Sequence, residues 1–201
     1  MKLYDCETAP SPRRVRMFVA EKGVSIPVVQ VNLRDGEQLG DAFRKVNPDC
    51  TVPVLELDNG VTISEVFAIC QYLESCYPEP KLFGCDPVEQ ALVSMWNAKI
   101  EQNGMAALAE VLRNRAPGMR DRALPGPMNV PQIPELVERG KKRALAFFAR
   151  LDEQLADKAF VVGEKFTMAD ITAFVMIEFA AWSKISISES QGNLHRWYAA
   201  V

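Results

Sequence analysis

The chain has 201 residues, of which 48% are hydrophobic and 24% are charged, and its formal net charge is −3 at pH 7. This composition is typical of a soluble globular protein, and the length allows one large domain or two small ones. A general nucleic-acid surface needs a strong basic excess, which this chain lacks. We therefore expect no nucleic-acid partner.

The apolar segments and the cysteines indicate the cellular compartment of the protein. No apolar run is long enough to span a bilayer, and the first ten residues lack the profile of a signal peptide. The cysteines form no C-x-x-C pair, which favours reduced thiols in a cytoplasmic protein over a disulfide scaffold. They are Cys6, Cys50, Cys70, Cys76 and Cys85. Because His195 is the only histidine, neither a histidine-based metal site nor a Ser-His-Asp triad is expected.

The first 76 residues alternate between β-rich and helical patterns. A helix is predicted over residues 13–22, with Ser11 as its N-cap, Pro12 as its first helical residue and Gly23 closing its far end. A second, short helix is expected before Asn47-Pro48. The expected strands cover residues 2–4, 27–31, 54–57 and 61–63.

A tight hairpin leads into a third helix. Asn59-Gly60 supplies the residue pair that tolerates positive φ between two β-rich runs. After the hairpin, Ser64 occupies the expected N-cap of a helix whose apolar residues recur at helical spacing. The predicted order of elements in this half is β-α-β-α-β-β-α.

The second half of the chain predicts only helices. Residues 77–86 read as a linker, and Asp86 resembles an N-cap that opens a long helix. Residues 116–134 are too rich in proline for a regular helix and predict a long ordered loop. Thr167 to Asp170 form a capping box, and the apolar helix after it is expected to be the buried centre of a helical domain.

These motifs together resemble the glutathione S-transferase family, and the run from Ala9 to Arg16 is similar to a bacterial branch of it. The resemblance implies a thioredoxin-like, glutathione-binding domain over residues 1–78 and an all-helical domain over residues 86–201 that contributes the electrophile site. It also implies a homodimeric detoxification enzyme in the cytoplasm. The motifs are Asn47-Pro48, Val52-Pro53-Val54-Leu55, Asp58-Asn59-Gly60, Ser64-Glu65, Ala68-Ile69, Tyr72-Leu73 and Phe166-Thr167-x-Ala169-Asp170-Ile171.

The same resemblance assigns roles toward glutathione. It implies a cis Val52-Pro53 bond, with the Val52 backbone pairing with the cysteinyl part of the tripeptide as an added strand would. Glu65 would pair with the γ-glutamyl ammonium. Val66 departs from the serine that the family places here, so a hydroxyl for the γ-glutamyl carboxylate is missing. Gln38 falls where relatives place a polar or basic side chain near the glycyl carboxylate.

Transfer chemistry needs a thiolate, whereas a free thiol with a pKa of about 8.5 is only slightly ionised at neutral pH. A hydroxyl at the start of the first helix can stabilise the thiolate, and Ser11 is the predicted catalytic residue. Cys6, Thr8 and Tyr4 are alternatives, and Cys6 would change the chemistry to mixed-disulfide formation and reduction.

Three functions follow from these residues. The first is a glutathione transferase that conjugates the glutathione thiolate to small, mostly apolar electrophiles, with no metal. The second is a glutathione-dependent disulfide reductase or peroxidase that uses Cys6. The third is a non-catalytic interaction protein on the same fold, which the missing hydroxyl at Val66 keeps open.

Overall fold

The computed structural model describes residues 1–201, and the chain forms two compact units. The first unit comprises residues 1–80 together with residues 124–128. The second comprises residues 81–123 and 129–201. None of the helices combines the length and the apolar character that crossing a membrane requires.

The first unit is a four-stranded sheet with helices, in the predicted β-α-β-α-β-β-α order. The thioredoxin-like fold class is therefore confirmed. A short 3₁₀ helix at Glu37–Leu39 precedes the second helix. The elements are β1 (Lys2–Asp5), α1 (Pro10–Glu21), β2 (Val28–Gln30), α2 (Asp41–Arg44), β3 (Val54–Glu56), β4 (Thr62–Ser64) and α3 (Val66–Cys76).

The strand order is β2-β1-β3-β4, with β1 and β2 parallel and the other pairs antiparallel. The register places Val29, Tyr4, Val54 and Ser64 in one row across the sheet. Because β3 runs opposite to its neighbours, the ends of β1, β2 and β4 and the start of β3 all lie at one end of the sheet. The segments that carry the predicted site residues connect to the strands at that end.

Alternation along the strands builds the core of this unit. Tyr4 and Val54 pack with Phe43 of α2, and the Tyr4 and Phe43 rings meet edge to face with centroids 5.9 Å apart. Leu3 and Leu55, one residue along each strand, point to the opposite face and are fully buried. Apolar residues of α1 and α3, among them Phe18 and Ile69, are fully buried as well.

The second unit is all helical, as predicted. Its first helix begins where expected, because the Asp86 side chain accepts hydrogen bonds from the backbone N–H groups of Val88 and Glu89. The helices are α4 (Pro87–Ile100), α5 (Ala106–Arg115), α6 (Glu135–Gln154), α7 (Met168–Ala181) and α8 (Gly192–Ala200), with a 3₁₀ turn at Pro117–Met119.

The long helix predicted from residue 86 is confirmed as α4, and a π turn at Glu101–Met105 continues it into α5 with the backbone still helical. Gly104 lies in this turn against α7, and a Cβ atom at this position would stand 1.9 Å from the sulfur of Met176. A side chain at position 104 would therefore require the Met176 side chain to move, so glycine allows α7 to pack closely here.

The capping box at the start of α7 is confirmed. The Asp170 carboxylate is fully buried and accepts hydrogen bonds from the Thr167 N–H and hydroxyl, each 2.9 Å away. It also accepts from the Val161 N–H at 2.8 Å and from the Trp197 indole at 2.9 Å. Burial raises the pKa of Asp170, and these four donors oppose that rise. One carboxylate thus joins α7, α8 and the preceding loop.

Candidate active site

Four predicted site segments leave the same end of the sheet. β1 leads into α1, β2 leads toward Gln38, and Val52-Pro53 precedes β3. β4 leads into α3 through Glu65. The sheet register therefore brings together segments that lie far apart in the sequence, which is what a composite binding site requires.

The first helix begins earlier than predicted. Its N-cap is Ala9 and its first residue is Pro10, so Ser11 lies in the first turn and the prediction of Ser11 as the N-cap is wrong. Pro10 and Pro12 have no N–H, and both fit the φ that the first helical turn needs. Of the first three helical residues, only Ser11 therefore offers a backbone donor.

The Ser11 side chain is held by the helix itself. Its Oγ accepts a hydrogen bond from Nη2 of Arg14 at 3.2 Å, and Arg14 is buried beneath it with 3% of its surface exposed. A guanidinium donates and never accepts, so the hydroxyl hydrogen of Ser11 is left for another acceptor. Ser11 thus presents an O–H and an N–H at a helix N-terminus, where anions are favoured.

The loop before this helix is fixed by a buried ion pair. The Asp5 carboxylate, 1% exposed, pairs with Arg16 and accepts a hydrogen bond from Nε2 of Gln30 at 2.8 Å. Arg16 also donates to the backbone carbonyls of Glu7 at 2.8 Å and Cys6 at 3.4 Å. Sequence reasoning missed this contact, which holds the loop that positions the start of α1.

The alternative activating residues have other surroundings. The Tyr4 hydroxyl donates to Oε2 of Glu56 at 2.8 Å, so that donor is already used. Cys6 is partly exposed, with its sulfur 3.6 Å from Oγ1 of Thr8. Cys6 and Thr8 line an open depression of about 310 Å³ between the loops that follow β1 and β2. The other residues that line it are Glu7, Gln30, Val31, Asn32 and Glu37.

The Val52-Pro53 peptide bond is cis, as the resemblance implied. The Val52 N–H and C=O take no part in the backbone hydrogen bonds of the first unit. An extended peptide is able to use both groups, as it would along an exposed strand edge.

The start of α3 differs from prediction by one residue. Ser64 is the last residue of β4, and Glu65 is the N-cap with a φ of 71°, so the assignment of Ser64 as the N-cap is wrong. A positive φ is uncommon outside glycine and often marks a functional position. The Glu65 carboxylate is exposed and forms no ion pair within the chain, so it is available to a cation.

Val66 and Gln38 are both buried. Val66 is 4% exposed and belongs to the core, so the first residue of α3 offers a backbone N–H and no side-chain donor. Gln38, 3% exposed, has an Oε1 atom with no hydrogen-bond partner. A buried acceptor without a partner is costly and requires a donor, whereas the amide Nε2 of the same side chain is the group that can donate to a carboxylate.

Comparison with known proteins identifies the family. Models of the N-terminal and C-terminal domains of glutathione S-transferase match residues 8–76 and 105–201. Glutathione S-transferase 2 of Saccharomyces cerevisiae is 34% identical over 201 residues, which cover 98% of this chain and 84% of that protein. Maleylacetoacetate isomerase of Rattus norvegicus is 30% identical, over 92% of this chain and 81% of that protein.

Solved structures agree with this result. A glutathione S-transferase domain-containing protein of Marinobacter aquaeolei has a TM-score of 0.91 and 37% identity, covering 100% of this chain and 96% of that one. The fold and these similarities define a two-domain enzyme of the transferase class. The chain belongs to the glutathione S-transferase family.

Proposed function

We propose that this enzyme conjugates the glutathione thiolate to small, mostly apolar electrophiles. The observation that carries the proposal is the pair of donors at Ser11, where the O–H and the N–H stand at a helix N-terminus and the hydroxyl oxygen is already held by Arg14. An anionic sulfur is the ligand that such donors favour. Ser11 is accordingly the proposed catalytic residue.

The energies are of the right size for this role. Lowering a thiol pKa by two units requires about 2.7 kcal/mol, at about 1.36 kcal/mol per unit. A hydrogen bond to a charged group contributes about 1.5–3 kcal/mol, and a helix N-terminus adds about 0.3–1 kcal/mol. The hydroxyl of Ser11 and the first turn of α1 together meet this requirement.

The remaining residues fit the tripeptide as donors and acceptors. The free N–H and C=O of Val52, beside Pro53, are proposed to pair with the cysteinyl backbone. The Glu65 carboxylate would bind the γ-glutamyl ammonium, and the Val66 N–H would bind its carboxylate without help from a hydroxyl. Gln38 is proposed to use its amide Nε2 toward the glycyl carboxylate.

The reaction needs no group beyond these and the two substrates. The glutathione thiol loses its proton to solvent, and the thiolate sulfur forms a bond to the electrophilic carbon. The leaving group departs with the electron pair of the bond that breaks. Ser11 stabilises the sulfur charge before attack, which raises the fraction of reactive thiolate at neutral pH.

A conjugation assay tests the proposal. Chlorodinitrobenzene and glutathione should give a coloured thioether, with kcat/KM at least about tenfold lower in Ser11→Ala, the loss of one charge-assisted hydrogen bond. Ser25→Ala, which changes an exposed serine of the same unit, is the matched control and should keep wild-type activity. Full activity in Ser11→Ala would remove Ser11 from the mechanism.

Disulfide chemistry at Cys6 is the second candidate, and the partly exposed thiol in the depression beside Thr8 supports it. Its signature is a Cys6–glutathione mixed disulfide detected by mass spectrometry, with loss of hydroperoxide or disulfide turnover in Cys6→Ser. If the protein instead conjugates glutathione through Ser11, as proposed above, Cys6→Ser should retain transferase activity.

We also propose that the protein is a cytoplasmic homodimer that acts in detoxification. The five free cysteines suit a reducing compartment. Size-exclusion chromatography with light scattering tests the dimer, and a molar mass equal to that of one chain would contradict it.

A further inference from the structure

An arginine cluster stands at the end of α5, outside the residues assigned to glutathione. Residues 113–122 contain four arginines and one aspartate, in a protein whose net charge is −3. Arg113 and Arg122 are half-buried, whereas Arg115 and Arg120 are exposed. The two half-buried members therefore carry positive charge into a region with reduced access to water.

These two arginines have no acidic partner. No carboxylate lies within ion-pair distance of either guanidinium, and the glutamate of α5, Glu110, is already paired with Arg139 and Arg143 of α6. Asp121 is exposed and meets neither guanidinium. Burial and the positive charge of Arg122 lower the pKa of Arg113, as expected for a cation whose charge is not compensated.

Hydrogen bonds join the Arg113 side chain to the backbone of Arg122 and fix that backbone in the loop. Nη1 of Arg113 donates to the backbone carbonyl of Arg122 at 2.9 Å. Arg122 in turn forms a β-bridge with Val130, flanked by hydrogen bonds from the Ala123 N–H and the Val130 N–H. The proline-rich loop is thus an ordered element that brings Arg122 to Arg113.

The end of α5 is closed by residues of the same loop. Nε2 of Gln132 donates to the carbonyls of Arg113 at 2.7 Å and Ala116 at 2.8 Å, and Oδ1 of Asn114 accepts from the Ile133 N–H at 2.9 Å. Gln132 therefore satisfies the carbonyl groups at the end of α5, which a nearby cation could otherwise have stabilised. The guanidinium of Arg113 donates to the loop instead.

We propose that Arg113 and Arg122 form a binding site for a small oxyanion, a carboxylate or a phosphoryl group. Planar guanidinium groups match the oxygens of either group. The Arg113 guanidinium lies on the backbone of Arg122, both side chains are half-buried, and neither has an acidic partner, so an anion fits as the missing partner. The proposal does not depend on the glutathione site, because all of its residues belong to the helical unit.

The test uses the side chain of residue 122, because the contact from Arg113 is to its backbone oxygen and survives substitution. Arg122→Gln removes one of two neighbouring positive charges, so the variant should fold and be at least as stable as the wild type. Arg120→Gln removes the same charge from an exposed position of the same loop and is the matched control.

Calorimetric titrations with sodium phosphate and, separately, with sodium acetate measure anion binding. A titration with sodium chloride at equal ionic strength is the reference. The wild type and Arg120→Gln should show saturable binding, and Arg122→Gln should bind at least about tenfold more weakly, as for the loss of one charge-assisted contact. Binding of phosphate alone assigns a phosphoryl ligand, and binding of acetate assigns an organic acid. No saturable binding of either anion, or equal affinity in Arg122→Gln, overturns the proposal.

Discussion

The Arg14 guanidinium donates a hydrogen bond to the Ser11 hydroxyl, with Nη2 3.2 Å from Oγ. The two residues lie three positions apart in α1, so the helical repeat alone brings them together. Because the Arg14 guanidinium cannot accept, the Ser11 hydroxyl hydrogen has to point away from it. A serine that would otherwise rotate freely in the first turn of α1 is thereby pre-oriented.

The pair formed by Asp5 and Arg16 should be needed for stability. Arg16→Gln leaves the buried Asp5 carboxylate without its cation and is expected to lower the free energy of unfolding by about 3 kcal/mol. Urea denaturation measures the loss. The double variant Asp5→Asn with Arg16→Gln should recover most of it, while Arg34→Gln, an exposed arginine of the same unit, should change little. Equal stability of Arg16→Gln and the wild type would contradict this account of the loop.

Glu65 should act on the ammonium of glutathione. Glu65→Gln is expected to weaken glutathione binding by about 1.5 kcal/mol, roughly tenfold in Kd, because the exposed carboxylate provides the charge. A glutathione analogue that lacks the γ-glutamyl amino group should bind the variant and the wild type equally. Glu21→Gln, at an exposed acid of α1, is the control. An equal loss for both ligands would show that Glu65 serves the fold and not the ammonium.

Restoring a hydroxyl at position 66 should strengthen glutathione binding. Val66→Thr keeps the shape of the side chain at a buried position and adds a donor beside the N-terminus of α3. One hydrogen bond to the γ-glutamyl carboxylate is worth about 1.5 kcal/mol, so Kd should fall about tenfold. Calorimetry decides the matter, and an unchanged Kd would mean that backbone N–H groups already satisfy that carboxylate.

Asp170 should be the most sensitive polar residue of the helical unit. Asp170→Ala removes an acceptor from three backbone or hydroxyl donors and from the Trp197 indole, and should lower the free energy of unfolding by more than about 3 kcal/mol. Asp157→Ala changes an exposed acid that follows α6 and should change the free energy of unfolding little. Similar losses in the two variants would contradict a structural role for the Asp170 network.

Capping and turn residues predicted which helices and strands form more accurately than they predicted the residue at which each one begins. The capping boxes and turn pairs at Asp86, Thr167 and Asn59-Gly60 mark real boundaries because each acts within a few residues. At Ser11 the pattern was ambiguous, since Pro10 fits the first helical turn as well as Pro12 does. At Ser64 the sheet register extends the strand and moves the cap to Glu65.

Features that depend on tertiary contacts were out of reach of the sequence. The ion pair of Asp5 with Arg16 requires the chain to turn back after β1, and nothing in either residue's neighbours signals it. Gly104, in the π turn, packs against Met176 of α7, and the two residues lie far apart in the sequence. Among the site residues, Glu65 and Val66 were placed correctly at the start of α3, whereas the Arg14 contact that orients Ser11 was not foreseen.

The ionisation of bound glutathione tests the central role of Ser11 most directly. The ultraviolet absorbance of the thiolate, followed against pH in the binary complex, should give a thiol pKa about two units below the free value of about 8.5. In Ser11→Ala the pKa should return upward by at least about one unit, because the loss of the hydroxyl donor removes about 1.5 kcal/mol of thiolate stabilisation. An identical thiol pKa in the two proteins would contradict the role of Ser11 proposed for this enzyme.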